Sequence, residues 1–168
     1  MPATLFYTGP SLRTLHEEYA KNSRIDAAAP LTVTSSITID APPDQVWAVL
    51  SDVAAWPTWH PAMTVRSLGA VRPDAALRWK LGRVPIRSTF AVVSPPRELT
   101  WTGRFLGYKA VDQHLLAPTA DGRTTATIRE SLAGPLLPLL FSQAKLEAGH
   151  HRWLADLKTR VANRAISS

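Results

Sequence analysis

The sequence contains no cysteine, so disulfide cross-links and thiolate chemistry are both excluded. It also lacks any apolar run that approaches the ~20 residues that a helix needs to cross a bilayer. The start of the chain, MPATLFYTGP, has neither the basic residues nor the long apolar stretch of a secretion signal. We therefore expect a cytoplasmic protein with no integral membrane segment.

Several motifs that would reveal a cofactor or a covalent mechanism are also absent. The chain has no GxGxxG, no GxxxxGK[ST], no GxSxG and no HExxH. The tandem pair His150 and His151 would point roughly 100° apart on a helix, so both cannot ligate one ion from one face. We predict no cofactor and no metal site.

The composition indicates one soluble domain. The chain has 168 residues, of which 45% are hydrophobic and 19% charged, and its formal net charge is +6. Lys and Arg are scattered along the sequence, with no basic patch interleaved with aromatic residues. A solvated basic surface is therefore favoured, and we expect no nucleic-acid partner. A protein that acts as an interaction module through its basic residues is the least favoured function.

Residues 1–30 are interpreted as an N-terminal extension in front of a domain that spans residues 31–165. The segment SLRTLHEEYAKN predicts a short helix with Ser11 as its N-cap, and an irregular link follows through DAAAP. The extension could pack on the domain or mediate contacts in a homodimer, and the sequence does not decide between them.

The order of elements after residue 30 predicts an α+β fold. LTVTSSITID forms a first strand, APPDQVWAVLSD a helix, and six β-rich segments between Met63 and Leu132 form an antiparallel meander. A long amphipathic helical pattern follows from Gly134 to Ile166, with prolines only near its start. We predict a curved sheet of seven antiparallel strands around this helix, with two short helices after the first strand and a cavity between sheet and long helix.

The stretch DVAAWPTWHP forms the bend after the first helix, because Pro57 and Pro61 stop regular structure there. Its tryptophans supply apolar area that closes one end of the domain. His60 is interpreted as part of the scaffold or of the cavity rim rather than as a catalyst.

Polar residues in apolar patterns give the first indication of function. On TTATIRESL, Glu130 shares a face with Ala126, Ile128 and Leu132, while the face with Ser131 is expected to meet solvent. On the helical wheel, Gln143, Glu147 and His150 fall on or beside the apolar face, which also carries several leucines, among them Leu136, Leu139 and Leu140. Buried polar groups need partners, water or a ligand.

The ordered set ITIDAPPDQVWAVLSDVAAWPTWHP, PPRELTWTG, HLLAPTADGRTTATIRESLAG and PLLPLLF resembles the START-like, or SRPBCC, superfamily, and most closely its polyketide cyclase/dehydrase-like group. The resemblance covers about residues 31–161. It implies a helix-grip fold whose hydrophobic cavity binds lipids, sterols, polyketides or plant hormones, with catalysis only in some members. The family register places His114 and Leu116 on the inner face, with Asp112 two positions earlier.

Two functions follow from this resemblance. The first is the binding of a small hydrophobic or aromatic ligand, lipid-like or polyketide-like, in the internal cavity by a carrier or sensor. The alternative is a polyketide cyclase/dehydratase, a lyase-type enzyme in which the inward residues His114 and Glu130 perform acid–base catalysis; a polar pair that only orients ligands is the competing interpretation of these two. The predicted ligand-binding residues are Trp59, His60, Trp79, Phe90, Trp101, Phe105, Leu116, Ile128, Gln143, Glu147 and His150.

Overall fold

The computed structural model describes residues 5–167 of the chain. The N-terminal extension contains α1 (Leu12–Thr14), a π-helix (Leu15–Tyr19) and a 3-10 turn (Ala20–Asn22). As predicted, Ser11 caps the first of these, since its side chain accepts a hydrogen bond from the backbone N–H of Thr14.

Seven strands form one sheet in the order β1-β7-β6-β5-β4-β3-β2, and every neighbouring pair is antiparallel. The meander of sequential strands and the closing pairing of β1 with β7 confirm the predicted architecture. The strands are β1 (Leu31–Ile39), β2 (Met63–Leu68), β3 (Ala76–Leu81), β4 (Val84–Ser94), β5 (Glu98–Phe105), β6 (Tyr108–Pro118) and β7 (Thr124–Ala133).

Helices follow the first and the last strand. After β1 come α2 (Pro43–Leu50), a 3-10 turn (Val53–Ala55) and α3 (Trp56–Trp59). After β7 come α4 (Leu137–Leu140) and the long α5 (Gln143–Ile166), which Ser142 caps by accepting from the backbone N–H of Lys145. No helix within residues 5–167 has the length and apolar character needed to traverse a bilayer.

The prediction of one apolar face running through the whole C-terminal segment was wrong at its start. Leu136 adopts a left-handed conformation with φ 57°, and the chain therefore forms the separate α4 before α5 begins. Leu136, Leu139 and Leu140 are exposed as a result and take no part in the packing of α5.

The long helix α5 lies across the inner, concave face of the sheet. Its buried residues recur at helical spacing, so one stripe of the helix faces the strands. This arrangement confirms the predicted helix-grip packing. The stripe consists of His150, Trp153, Leu154, Leu157 and Val161.

The N-terminal extension packs on the outer face of the same sheet. Leu15 and Ala20 pack there in one buried cluster with Ala91 and Val111. Polar contacts accompany this packing: the backbone N–H of Asp26 donates to Oγ of Ser131 at 3.0 Å. Further such contacts join His16 to Thr102 and Ser23 to Glu98. The expectation that Ser131 meets solvent was therefore wrong, because the extension covers that part of the strand.

Candidate ligand-binding site

A buried carboxylate–histidine pair joins the sheet to α5. Glu130 lies on the inner face of β7, and its Oε2 is 2.8 Å from Nε2 of His150 on α5. The side chains of His150 and Glu130 are 7% and 14% exposed, so the pair is largely screened from water. The alternating strand pattern predicts the inward position of Glu130, and the helical wheel predicts that of His150.

Burial and mutual attraction set the proton affinity of this pair. Burial raises the pKa of Glu130, because an ionised carboxylate loses its hydration there, and the hydrogen bond from His150 only partly opposes this shift. Burial alone would lower the pKa of His150, but the hydrogen bond and charge of Glu130 raise it overall. The pairing at 2.8 Å therefore favours the charged form of both groups, while burial favours the neutral form of Glu130.

A second carboxylate–histidine pair lies beside the first on β6. Nε2 of His114 is 3.0 Å from Oδ1 of Asp112, and the imidazole stacks on the ring of Trp101 with centroids 4.7 Å apart. In the strand register, Asp112 stands opposite Glu130, and His114 stands opposite Ile128. The predicted direct pairing of His114 with Glu130 is therefore not formed, because Glu130 bonds instead to His150.

A third pair closes the side of the site near the bend. Nδ1 of His60 is 2.7 Å from Oδ2 of Asp156 on α5, and the imidazole is buried. His60 also meets the indole of Trp153 edge-on, with centroids 5.0 Å apart. His60 thus holds the bend against α5, which agrees with its interpretation as scaffold or rim.

Trp153 meets the histidines of the second and third pairs and lies three residues after His150 on α5. Its ring centroid is 5.0 Å from that of Trp56, 4.7 Å from that of Trp59 and 5.7 Å from that of His114. Aromatic side chains therefore occupy space where the sequence predicted an open cavity. Two pockets in the described part of the chain lie elsewhere, one between α2 and the end of α5 and one at the turn between β5 and β6.

The site nevertheless leaves several polar atoms without a hydrogen bond. Buried atoms that lack a partner include Nε1 of Trp59, Nε1 of Trp153, Nδ1 of His150 and Oδ1 of Asp112. Asp112 Oδ1 lies within ion-pair distance of His114 but lacks the geometry of a hydrogen bond. Leaving such groups unpaired costs about 1–3 kcal/mol each. The arrangement therefore offers donors and an acceptor to a guest molecule with polar groups on an apolar body.

The other predicted ligand-binding residues fall into three groups. Phe105 is half-buried at the far end of the sheet, while four more belong to the buried core beneath α5: Trp79, Phe90, Leu116 and Ile128. Gln143 and Glu147 are exposed, so the expectation that they face the sheet was wrong. Both lie in the first two turns of α5, where only Leu146 and Gly149 are half-buried.

Two residues of the site were missed in the sequence. Asp156 falls opposite the apolar face on the helical wheel, yet its carboxylate reaches His60. Trp153 follows His150 by three residues, and this spacing could have placed it on the same inner stripe.

A group of potential metal ligands occurs outside this site, on the outer face of the sheet. His16, Glu17 and Asp74 bring ligand atoms within 4.8 Å of one another. The ammonium group of Lys21 already binds both carboxylates, at 2.8 Å from Asp74 and 3.0 Å from Glu17. A cationic side chain of the protein itself thus already lies between these two carboxylates.

Comparison with known proteins identifies the family. The family described as "Polyketide cyclase / dehydrase and lipid transport" matches residues 30–162, which is most of the chain. The chain belongs to this family. A search of the curated proteins finds no match to this polyketide cyclase/dehydrase-like chain.

Solved structures share the fold of this family member at low sequence identity. The protein CV1439 from Chromobacterium violaceum is 17% identical with a TM-score of 0.64, over 79% of this chain and 97% of that one. CalU16 from Micromonospora echinospora is 18% identical with a TM-score of 0.60, over 81% and 79%. DynU16, from the dynemicin biosynthetic locus, is 22% identical with a TM-score of 0.63, over 78% of this chain and 47% of that one.

Proposed function

We propose that this polyketide cyclase/dehydrase-like protein binds a small aromatic or hydrophobic molecule that carries polar groups, between the sheet and α5. The observation that carries the proposal is the set of unpartnered buried polar atoms around Trp153. A purely structural core would pair such atoms, since each unpaired one lowers stability. A ligand with a carbonyl or hydroxyl group would satisfy the indole N–H groups of Trp59 and Trp153.

Gly149 supports a position for the guest next to His150. Gly149 is half-buried on α5, one residue before His150 and four before Trp153. A Cβ atom placed on Gly149 would meet no heavy atom within 4 Å, so open space adjoins the helix there. Trp59 is half-buried and packs on Trp153, with ring centroids 4.7 Å apart.

The first test is direct binding by native mass spectrometry, with a panel of polycyclic aromatic ketones and fatty acids. We expect the wild-type protein to bind at least one class, and the Gly149→Leu variant to lose that binding because the side chain fills the open space. Ala148→Leu is the matched control, since Ala148 is the exposed neighbour on the same helix and should bind as the wild type does. Equal binding by both variants, or no binding by the wild type, would overturn the proposal.

Acid–base catalysis on a polyketide-like substrate is a second candidate function. The hydrogen bond between Glu130 and His150 in the interior favours it. A base that removes the proton between two carbonyl groups creates a carbanion that attacks a third carbonyl. An acid then protonates the resulting alkoxide, and loss of water completes the dehydration. Glu130 and His150 can serve as this base and acid because they share a hydrogen bond, burial raises the pKa of Glu130, and the carboxylate raises the pKa of His150. His114, held by Asp112, is the next group within the same interior.

Turnover of a poly-β-ketone substrate tests this candidate. We expect Glu130→Gln and His150→Gln to abolish cyclisation while far-UV circular dichroism and substrate binding persist. Unchanged turnover in both variants would remove these two residues from the mechanism and leave ligand binding as the function.

A further inference from the structure

The strand register gathers basic residues that the sequence scatters. In the strand register, Arg78 on β3 lies opposite Arg87 on β4. Arg104 on β5 lies on the other side of Arg87, and Lys109 on β6 lies opposite Arg104. All four side chains alternate with inward residues such as Trp79 and Ile86, so they stand on the outer face of the sheet. They form a continuous cationic row across four neighbouring strands, which we call the basic row.

Nothing in the described part of the chain neutralises the basic row with a carboxylate. The ion pairs found within residues 5–167 involve other cations, and Lys109 donates instead to the backbone carbonyl of Pro10. Arg78, Arg87 and Arg104 are exposed. Like charges directly opposite one another on neighbouring strands destabilise a sheet. An anionic partner that lies along the row would relieve this repulsion.

Apolar side chains adjoin the basic row at the turn between β5 and β6. A groove there, lined by Arg87, Arg104 and Lys109, also contains Leu106, which is 71% exposed. Leu106 gains meaning only as part of a larger exposed apolar patch, because single exposed apolar residues are common.

The helix α4 extends this apolar surface. Phe141, at the end of α4, packs on Phe105 and Tyr108, with ring centroids 6.0 and 5.2 Å apart, and so brings α4 to the same turn. Leu139 and Leu140 on this helix are 69% and 63% exposed. Phe6 is also exposed, and its neighbour Leu5 accepts a backbone hydrogen bond from Leu136 at the start of α4. We call Phe6, Leu106, Leu136, Leu139 and Leu140 the apolar tip.

We propose that the apolar tip and the basic row together dock the protein on the surface of an anionic lipid bilayer. Leucine side chains enter the boundary between headgroups and acyl chains, and Arg and Lys beside them contact the acidic headgroups. Nucleic acid would engage the basic row alone and would leave the leucines without a role. The inference concerns the outside of the molecule and does not depend on what the interior binds.

Co-sedimentation with vesicles tests the docking surface. We expect the protein to bind vesicles of phosphatidylcholine with phosphatidylglycerol, and to bind less to phosphatidylcholine alone or at higher salt. The double variant Arg87→Ala/Arg104→Ala removes two surface cations and should weaken binding roughly tenfold to thirtyfold. The variant Leu139→Ser/Leu140→Ser should weaken it about tenfold, and because these side chains are exposed the fold should persist.

A matched control distinguishes the effect of this surface from the effect of net charge. Arg152→Ala/Arg160→Ala removes the same charge from exposed positions on α5, which lies on the opposite face of the sheet. This control should bind vesicles as the wild type does. The proposal is overturned if the control weakens binding as much as the basic-row variant, if the leucine variant binds unchanged, or if the wild type binds duplex DNA but not anionic vesicles.

Discussion

The pair formed by Glu130 and His150 gives the sharpest stability prediction. We consider the variants Glu130→Leu and His150→Leu and the double variant that carries both. Glu130→Leu would leave the buried imidazole with no partner on either nitrogen, since Nδ1 already lacks one and Nε2 bonds only to Glu130. His150→Leu would leave the buried carboxylate without its hydrogen-bond donor.

The magnitude follows from the burial of both groups. Removing one member of a buried pair costs about 3–5 kcal/mol when the other keeps its charge, and about 1–3 kcal/mol when the other becomes neutral. We therefore expect each single variant to lose about 3 kcal/mol of the free energy of unfolding. The double variant replaces both polar groups by apolar ones, and should lose far less than the sum of the two.

Urea denaturation at pH 7, followed by far-UV circular dichroism, measures these free energies. The expected interaction energy between the two sites is about 2 kcal/mol or more, in the direction that favours the double variant. Single losses that add to within about 0.5 kcal/mol would refute the reasoning, because independent sites behave in that way.

Further predictions concern the proton of this pair, one close contact and the N-terminal extension. By NMR, the imidazole of His150 should titrate above the ordinary histidine pKa of about 6.5, and Glu130→Gln should bring it below that value because burial remains while the charge is lost; an unmoved midpoint would contradict the pairing. The pKa values of both Glu130 and His150 are higher in the folded state than in the unfolded state. The stability that the pair contributes is therefore complete at pH values below the unfolded-state pKa values, and it is lost as pH rises through the folded-state pKa values. A free energy of unfolding that rose over that pH range would contradict this prediction. Gly134→Ala would place Cβ 2.2 Å from Cδ1 of Tyr108 and should lose about 1–3 kcal/mol, whereas Gly149→Ala, next to open space, should gain up to about 1 kcal/mol; equal thermal midpoints would show that the Tyr108 ring yields. The N-terminal extension is an integral part of the fold, so Leu15→Ala should lower the free energy of unfolding by about 2–5 kcal/mol. Leu139 is exposed, and Leu139→Ala should stay within about 0.5 kcal/mol of the wild type. A loss at Leu15 as small as that at Leu139 would mean that the extension packs only weakly.

The sequence predicted the sheet well because its signals are local. The segment YKAVDQHLLAP lies between turns that contain Gly or Pro, and the observed strand β6 has the same bounds, Tyr108–Pro118. The inward direction of Glu130 follows from the period of two along a strand.

What the sequence could not supply depends on distances between elements. Glu130 has candidate histidine partners on a neighbouring strand and on a helix, and only the placement of α5 decides in favour of His150. The outer face of β7 looked solvent-exposed because nothing in its own pattern reveals that the extension covers Ser131. The alignment of Arg87 with Arg104 likewise depends on strand register, which the spacing along the chain does not fix.

The most direct test of the interior site uses the indole N–H resonances of the tryptophans. The Nε1–H groups of Trp56 and Trp79 already donate to Leu50 and to Ser88, whereas those of Trp59 and Trp153 have no acceptor. An aromatic ketone that the protein binds is titrated into isotope-labelled protein. We predict downfield shifts of the indole N–H signals of Trp59 and Trp153, and no shift of the signal of Trp79. Shifts confined to Trp79, or no shift with any member of the panel, would contradict a ligand site beneath α5.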